Sequence, residues 1–264
     1  TMWEQQEIVP SEFLTYINDQ SKVSFPWSMI DKITPQPAPI VEEKLKEIGF
    51  TDANIIYREK RSPIAPFVNA EETGYLVIED NFPNGRPPLE KVGVYVTDKK
   101  TVDLVERMKV CTCLNPLHTS LAVFGCLLGY DTIAAEMQDK DLKALVERIG
   151  YDEGMKVVAN PGIIDPEQFI KEVIEVRLPN PNIPDTPQRI ATDTSQKLAI
   201  RFGETIKLYN ERADLDVTQL MFIPLTIAAW CRYLLGINDK GEPMKLSPDP
   251  LLEELQKSLA EIKL

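Results

Sequence analysis

The pattern of apolar and polar positions changes character about 100 residues into the chain. Before that point the apolar residues come in short runs broken by proline. Phe13, Leu14 and Ile17 fall on one face of a short helix within residues 10–20. Val23 to Phe25 reads as a strand end. Pro26 and Pro35 then bracket a segment that cannot be a long helix. Residues 36–39, Gln-Pro-Ala-Pro, make a stiff turn. Ile40, Val41, Leu45 and Ile48 recur at helical spacing until Gly49 stops them. Residues 55–57, 74–80 and 92–96 are rich in β-branched and aromatic side chains and read as strands. Residues 81–88 are dense in turn formers, which suits either a plain connector or a loop that closes over a site.

From Thr101 onward the period becomes helical. Asp98 or Thr101 caps a helix that places Val102, Val105, Met108 and Lys109 on one face. Asn115-Pro116 combines a good cap with a proline at the first helical position. The apolar run from Leu117 to Leu128 is therefore a buried helix, joined to the one before it by a break or bulge near 112–116. Gly125 and Gly129 permit close packing there. Further helices are expected from Asp139 to Ile149, ended by Gly150, and from Asp165-Pro166 through Val176. Residues 178–187 are loop. Thr186-Pro187 opens a helix holding Arg189, Asp193 and Lys197. A long apolar helix runs from Val217 to Gly236 with a kink at Pro224. Pro248 or Asp249 opens the last one, with Leu251, Leu252, Leu255, Leu259 and Ile262 on one face. The predicted order is a small β-containing part, residues 1–100, then an all-α part, residues 101–264.

A length of 264 residues allows one large or two modest domains and a core that needs no cross-links. The formal net charge of −12 argues against nucleic acid and anionic membranes as partners, but not against a small anionic substrate met by a local cluster of cations. No uninterrupted apolar stretch reaches 18 residues, so no membrane span is expected, and residues 1–20 are too polar for a signal peptide. Thr1 preceding Met2 reads as an added residue or as the start of a piece of a longer protein. Cys111, Cys113, Cys126 and Cys231 suit reduced core residues in a cytoplasmic protein, and their spacing makes no zinc site. There is no GxGxxG, P-loop, GxSxG, HExxH or EF-hand motif. Glu71-Glu72 and Glu253-Glu254 read as surface pairs, and Trp27, Tyr75 and Trp230 as core aromatics.

Only the stretch from Met108 to Gly125 gathers chemically useful groups in an apolar setting. It holds Lys109, Asn115 and His118, the one histidine of the chain. One reading is a core helix with a satisfied histidine. The other is a catalytic cluster: a lysine in a low dielectric serves as a general base, while amide and imidazole polarise an oxygen as charge develops on it. Arg189, Asp193 and Lys197 stand at four-residue steps, which by itself describes an exposed salt-bridge ladder.

Four stretches resemble the polyol-specific long-chain dehydrogenases, the group that includes mannitol 2-dehydrogenase, fructuronate reductase and tagaturonate reductase. Residues 25–35, Phe-Pro-Trp-Ser-Met-Ile-Asp-Lys-Ile-Thr-Pro, resemble the family segment FPxSMVDRITP. Residues 77–87 resemble IEDxFxxGRP. Lys109, Asn115 and His118 resemble the K-x4-N-x2-H signature. Residues 185–197 resemble the ADTxxR…DxSxK helix. These matches run through most of the chain in family order.

The resemblance implies a mainly α fold: the C-terminal helical domain of a long-chain dehydrogenase, like the C-terminal domain of 6-phosphogluconate dehydrogenase. A small α+β segment precedes it. The family's Rossmann domain lies upstream, and residues 1–20 look like its final helix. The resemblance further implies a metal-independent oxidation of a secondary alcohol with NAD. By analogy Lys109 is the general base, Asn115 steadies the alkoxide, His118 orients the substrate and Glu106 relays protons. Arg189 and Lys197 contact substrate, and Asp31 lies near the cofactor. Two cations facing a pocket suit a sugar-acid carboxylate, which favours a uronate slightly over a neutral polyol; D-mannonate and D-fructuronate are the expected pair, with mannitol or a tagaturonate-type substrate as alternatives. Without the nucleotide-binding domain this polypeptide is expected neither to hold NAD tightly nor to turn over. A non-catalytic helical interaction module is the competing expectation.

The sequence departs from the family pattern between Lys109 and Asn115, where five residues replace four. On a continuous α-helix the extra residue turns Lys109 by about 100° from its companions. A single π-bulge before Pro116 would absorb it, and Pro116 favours one because it offers no amide hydrogen to the Thr112 carbonyl.

Overall fold

The computed structural model describes residues 2–59, 61–72 and 74–260. Helices α1 (Met2–Gln5) and α2 (Ser11–Asn18) lead into strand β1 (Ser28–Asp31). That strand occupies the segment between Pro26 and Pro35, past the strand end expected at Val23–Phe25. Helix α3 (Pro39–Glu47) starts on a proline and ends at Gly49, whose φ of +97° only glycine adopts without strain. A hairpin follows from β2 (Ile56–Arg58) and β3 (Arg61–Ile64). β3 is not among the expected strands; it contains Pro63, which a two-stranded edge pair tolerates where a central strand does not. Strand β4 (Tyr75–Glu79), a 3₁₀ turn (Leu89–Val92) and β5 (Tyr95–Thr97) complete the first part. Val92 thus lies in the turn, not in the strand expected from it.

The three-stranded sheet has the order β1-β4-β5. β1 runs antiparallel to β4 with Asp31 opposite Tyr75, and β5 runs parallel to β4. The loop over residues 81–88 is braced. Arg86 grips Asp80 with Nε at 2.8 Å and Nη2 at 3.1 Å, and reaches Glu90 with Nη1 at 2.7 Å. These contacts tie the loop to the residue after β4 and to the 3₁₀ turn.

The remainder is helical. Asp98 caps α4 (Lys99–Met108), accepting the Thr101 amide at 3.0 Å. Val102 and Val105 bury against Val77 of β4, which fastens sheet to helices. A π turn (Lys109–Cys113) joins α4 to α5 (Asn115–Leu128). Then come α6 (Ile133–Glu136), α7 (Lys140–Glu147), α8 (Pro166–Glu172), α9 (Pro187–Ile190), α10 (Thr194–Leu198), α11 (Glu204–Glu211), α12 (Phe222–Leu234) and α13 (Leu252–Ala260). Helix α5 is the centre: it packs against α6, α7, α9 and α12. Leu117 and Leu121 meet Ile149, Ile170 and Phe202 on one side, while Ala122 and Cys126 meet Trp230 and Leu234 on the other.

The segment Lys99–Leu128 is long and apolar enough to cross a membrane by length and composition, which a count of uninterrupted apolar residues overlooks. In the fold 67% of its most apolar window is buried by its neighbours, as befits a core helix.

Several helices differ from expectation at their ends. Three more π turns, at Arg148–Gly154, Val173–Arg177 and Ala199–Gly203, extend α7, α8 and α10. Gly150 therefore does not stop its helix. It makes room instead, since a Cβ there would come within 2.8 Å of Ile170. Val217–Gln219 is a separate 3₁₀ turn, and Pro224 sits in the first turn of α12, where its missing amide costs nothing and produces no kink. The start of α12 is capped by buried Glu153, whose carboxylate accepts the amides of Met221 (2.6 Å), Phe222 (2.8 Å) and Ile223 (2.8 Å). Trp230 is core, and Tyr75 packs edge-on against Phe169 at 6.0 Å. Trp27 is instead on the surface under the Lys99 ammonium, 4.6 Å from the ring centre. Leu252, Leu255 and Leu259 of α13 pack inward. Ile262, expected on the same face, lies outside the described residues.

Candidate active site

The bulge inferred from one extra residue is present. The Leu114 amide donates to the Lys109 carbonyl at 3.1 Å, an i to i+5 bond, and the ordinary helical pattern resumes with His118 on Leu114 at 3.0 Å. The wide turn accommodates the fifth residue between Lys109 and Asn115; the side chain of Lys109 pairs with Asp31 and that of His118 with Asp185. Asn115 does not cap α5. Leu114 holds the cap position, and the Asn115 side chain makes no hydrogen bond to another described residue. Its amide remains partly exposed and uncommitted.

Lys109 lies at the mouth of a buried ionic network that the sequence did not reveal. Its Nζ is 2.7 Å from Asp31 Oδ1. The same carboxylate takes a two-pronged contact from Arg177, Nη1 to Oδ2 at 2.7 Å and Nη2 to Oδ1 at 3.0 Å. Arg177 also grips Glu71, at 3.0 Å through Nε and 2.7 Å through Nη2, and Glu71 accepts the Ile33 amide at 2.6 Å. Burial alone would raise the Asp31 carboxyl, but Arg177 and then Lys109 outweigh it and hold it below the usual carboxylate range. Asp31 is thus a buried anion whose oxygens are both engaged by this chain's own cations. Glu71, expected on the surface, is buried for the same reason. Glu106 stands exposed one turn before Lys109, with no ion pair among the described residues.

His118 belongs to a second acidic centre. Its Nε2 lies 3.3 Å from Asp185 Oδ2. Asp185 is buried, accepts the Thr186 amide at 2.9 Å, and is forked by Arg189 with both contacts at 2.6 Å. Burial pushes the imidazole below its ordinary value; Asp185 opposes this, and the charges of Arg189 and Arg201 reinforce it. His118 is therefore a neutral ring held by a carboxylate. Asp185 itself is brought down to about 2: burial works against this, and His118 and Arg189 prevail.

Arg189, Asp193 and Lys197 do not form a ladder on one helix. Asp193 adopts a left-handed conformation (φ +54°) between α9 and α10, and its amide donates to the Pro248 carbonyl at 2.9 Å. Lys197 folds back over this break and donates to the carbonyls of Ile190, at 3.0 Å, and Thr192. A cleft of about 320 Å³ between residues 36–39 and Pro184, Thr186 and Arg189 opens beside the partly exposed Arg189.

Arg201 was missed altogether. It lies in the π turn that extends α10, and its Nη1 donates to Thr119 Oγ1 at 2.6 Å, one residue beyond His118. The available signal was spacing: Asp185, Arg189, Asp193, Lys197 and Arg201 follow one another at four-residue steps.

Comparison with known proteins places the chain in a family. The family model described as the mannitol dehydrogenase C-terminal domain matches residues 101–263. A D-mannonate oxidoreductase from Thermotoga maritima is 59% identical over 263 residues, covering 99% of this chain and 48% of that protein. The D-mannonate oxidoreductase of Escherichia coli is 33% identical over 239 residues, covering 90% and 45%. The solved structure of Pseudomonas fluorescens mannitol 2-dehydrogenase, a ternary complex with NAD and D-mannitol, superposes with a TM-score of 0.74 at 29% identity, covering 97% of this chain and 48% of that one. The chain spans about half the length of the curated relatives it matches. The family model and these relatives agree: the chain belongs to the mannitol dehydrogenase family.

Proposed function

We propose that this chain is the substrate-binding and proton-handling part of an NAD-dependent secondary-alcohol dehydrogenase acting on a sugar acid, with D-mannonate as the alcohol and D-fructuronate as the ketone. The observation that carries the reading is the setting of Lys109, an amine poised against a buried carboxylate at the head of a wide turn that leads to an uncommitted Asn115 and a neutral His118. The 59% identity to a D-mannonate oxidoreductase points to a sugar acid before a neutral polyol.

The substrate hydroxyl gives its proton to Lys109 Nζ, while the carbinol hydrogen departs with its electron pair and the C–O bond becomes C=O. NAD, when bound, supplies the acceptor for that hydride. Asp31 stabilises the ammonium that Lys109 becomes, and Arg177 keeps Asp31 ionised and in place. The Asn115 amide donates to the oxygen as negative charge grows on it. His118, fixed at one nitrogen by Asp185, offers the other to a neighbouring hydroxyl. Glu106 passes the Lys109 proton to water. Arg189 and Lys197 each keep a donor beyond their internal contacts for the sugar chain.

Asp31 does not fit a role in holding the cofactor, because its oxygens are occupied. We place the grip on NAD mainly in a nucleotide-binding domain of the same protein, with the sheet-bearing residues 1–100 at the junction and residues 101–264 as the helical catalytic domain. The reading requires no metal. Four free cysteines accord with a cytoplasmic setting.

The test is turnover of the full-length protein with NAD and a panel of D-mannonate, D-altronate and D-mannitol. Lys109→Ala is expected to lower kcat by about 10²- to 10⁴-fold with the fold retained. Unchanged turnover in that variant removes the mechanism.

A further inference from the structure

The three cations Arg189, Lys197 and Arg201 are spent differently. Arg189 gives a forked pair of hydrogen bonds to Asp185. Lys197 is bent onto backbone carbonyls. Arg201 has no acidic side chain within ion-pair distance among the described residues. Its one contact is Nη1 on Thr119 Oγ1 at 2.6 Å, and that hydroxyl passes its own hydrogen to the Asn115 carbonyl at 2.9 Å. One arm of the guanidinium is therefore fixed to the helix turn that carries Asn115 and His118. Nε and Nη2 have no partner among the described residues.

A guanidinium drawn partly out of water without an anion is costly unless something else repays the loss. The cost is visible in its proton affinity, which burial lowers to about 10. Its charge is also felt at both His118 and Lys197. An anchored and unneutralised fork beside the residues that hold the sugar is suited to a planar anion.

We propose that Arg201 is the specificity-determining residue of the substrate site, its free edge binding the carboxylate of the sugar acid and so favouring an acid over the corresponding neutral polyol. This deepens the sugar-acid reading above and rests on it. Thr119 acts as the positioning residue, aiming the fork while linking it to Asn115.

The test compares Arg201→Gln and Arg201→Lys with wild type in the full-length protein. KM and kcat are measured for D-mannonate with NAD, alongside D-mannitol as alternative substrate or competitive inhibitor, with melting temperatures recorded. Arg201→Gln is expected to raise KM for D-mannonate roughly 10- to 100-fold, to change kcat little, and to leave the affinity for D-mannitol near wild type. Arg201→Lys retains the charge without the fork and is expected to fall between. Should the Gln variant fail to fold, a Lys variant with wild-type KM for D-mannonate overturns the proposal. A folded Gln variant with unchanged KM, or one that weakens both compounds equally, overturns it too and leaves the sugar-acid reading intact. If wild type accepts D-mannitol and refuses D-mannonate, the sugar-acid reading fails, and the Arg201 assignment with it.

Discussion

Arg177 clasps Asp31 across 146 positions of sequence, with both nitrogens of the fork engaged at 2.7 and 3.0 Å. The arginine comes from the π turn at the end of α8 and the carboxylate from the end of β1. Their meeting point is also where Lys109 is held. Sheet and helices are thus locked together behind the candidate base.

Replacing Arg177 with methionine leaves Asp31 and Glu71 buried without their shared counter-charge. Breaking such a pair costs about 3–5 kcal/mol. Arg177→Met is expected to lower the unfolding free energy by that amount in chemical denaturation at neutral pH. A loss of under about 1 kcal/mol, the scale of an exposed ion pair, would show that the network contributes no more than surface charges do.

Asp185 sets an acid limit on stability. Its folded-state carboxyl lies at about 2, below the ordinary 3.8, because His118 and Arg189 outweigh the opposing effect of burial. A depressed carboxyl stabilises the fold above its unfolded value and loses that contribution as pH falls through the folded one. Stability is expected to drop by about 2 kcal/mol between roughly pH 4 and pH 2 from this group. Asp185→Asn should be less stable at pH 7 and show a flatter acid limb in melting temperature against pH.

Glu136 acts in the opposite sense. It is fully buried, no hydrogen-bond partner among the described residues reaches either carboxylate oxygen, and it abuts Gly125, where a Cβ would collide with it. Burial pushes its carboxyl up to about 9. Because the folded value lies above the unfolded one, the native state holds the proton longer, and stability declines as pH rises from about 4.5 towards 9. At 1.36 kcal/mol per unit, the total is on the order of several kcal/mol. Glu136→Gln should flatten the fall in melting temperature between pH 5 and pH 8. An unchanged slope would place the titration elsewhere.

Much of this arrangement was legible in the sequence because it is local. Asp98, Asp139 and Asp165 cap the helices their positions suggest, and the extra residue before Pro116 announced a wide turn that is present. What escaped notice depends on partners far apart. Glu71 looked like half of a surface pair because Arg177, 106 positions later, cannot be matched to it by spacing. Trp27 looked like core because composition does not say which side of β1 is covered. Asn115 has the residue type of a cap, yet the wide turn moves the cap to Leu114 and frees the amide. β3 carries Pro63, which a strand at a sheet edge admits and a central one would not. Arg189, Asp193 and Lys197 fit a helical period, but the left-handed Asp193 breaks it, and no periodicity foretells where a chain will turn back.

The π turn at Lys109–Cys113 separates residue count from geometry. The fifth residue between lysine and asparagine is taken into a widened turn, and α-helical bonding resumes at His118. Such a turn is a place where a chain can carry an additional residue without interrupting the run of helix on either side.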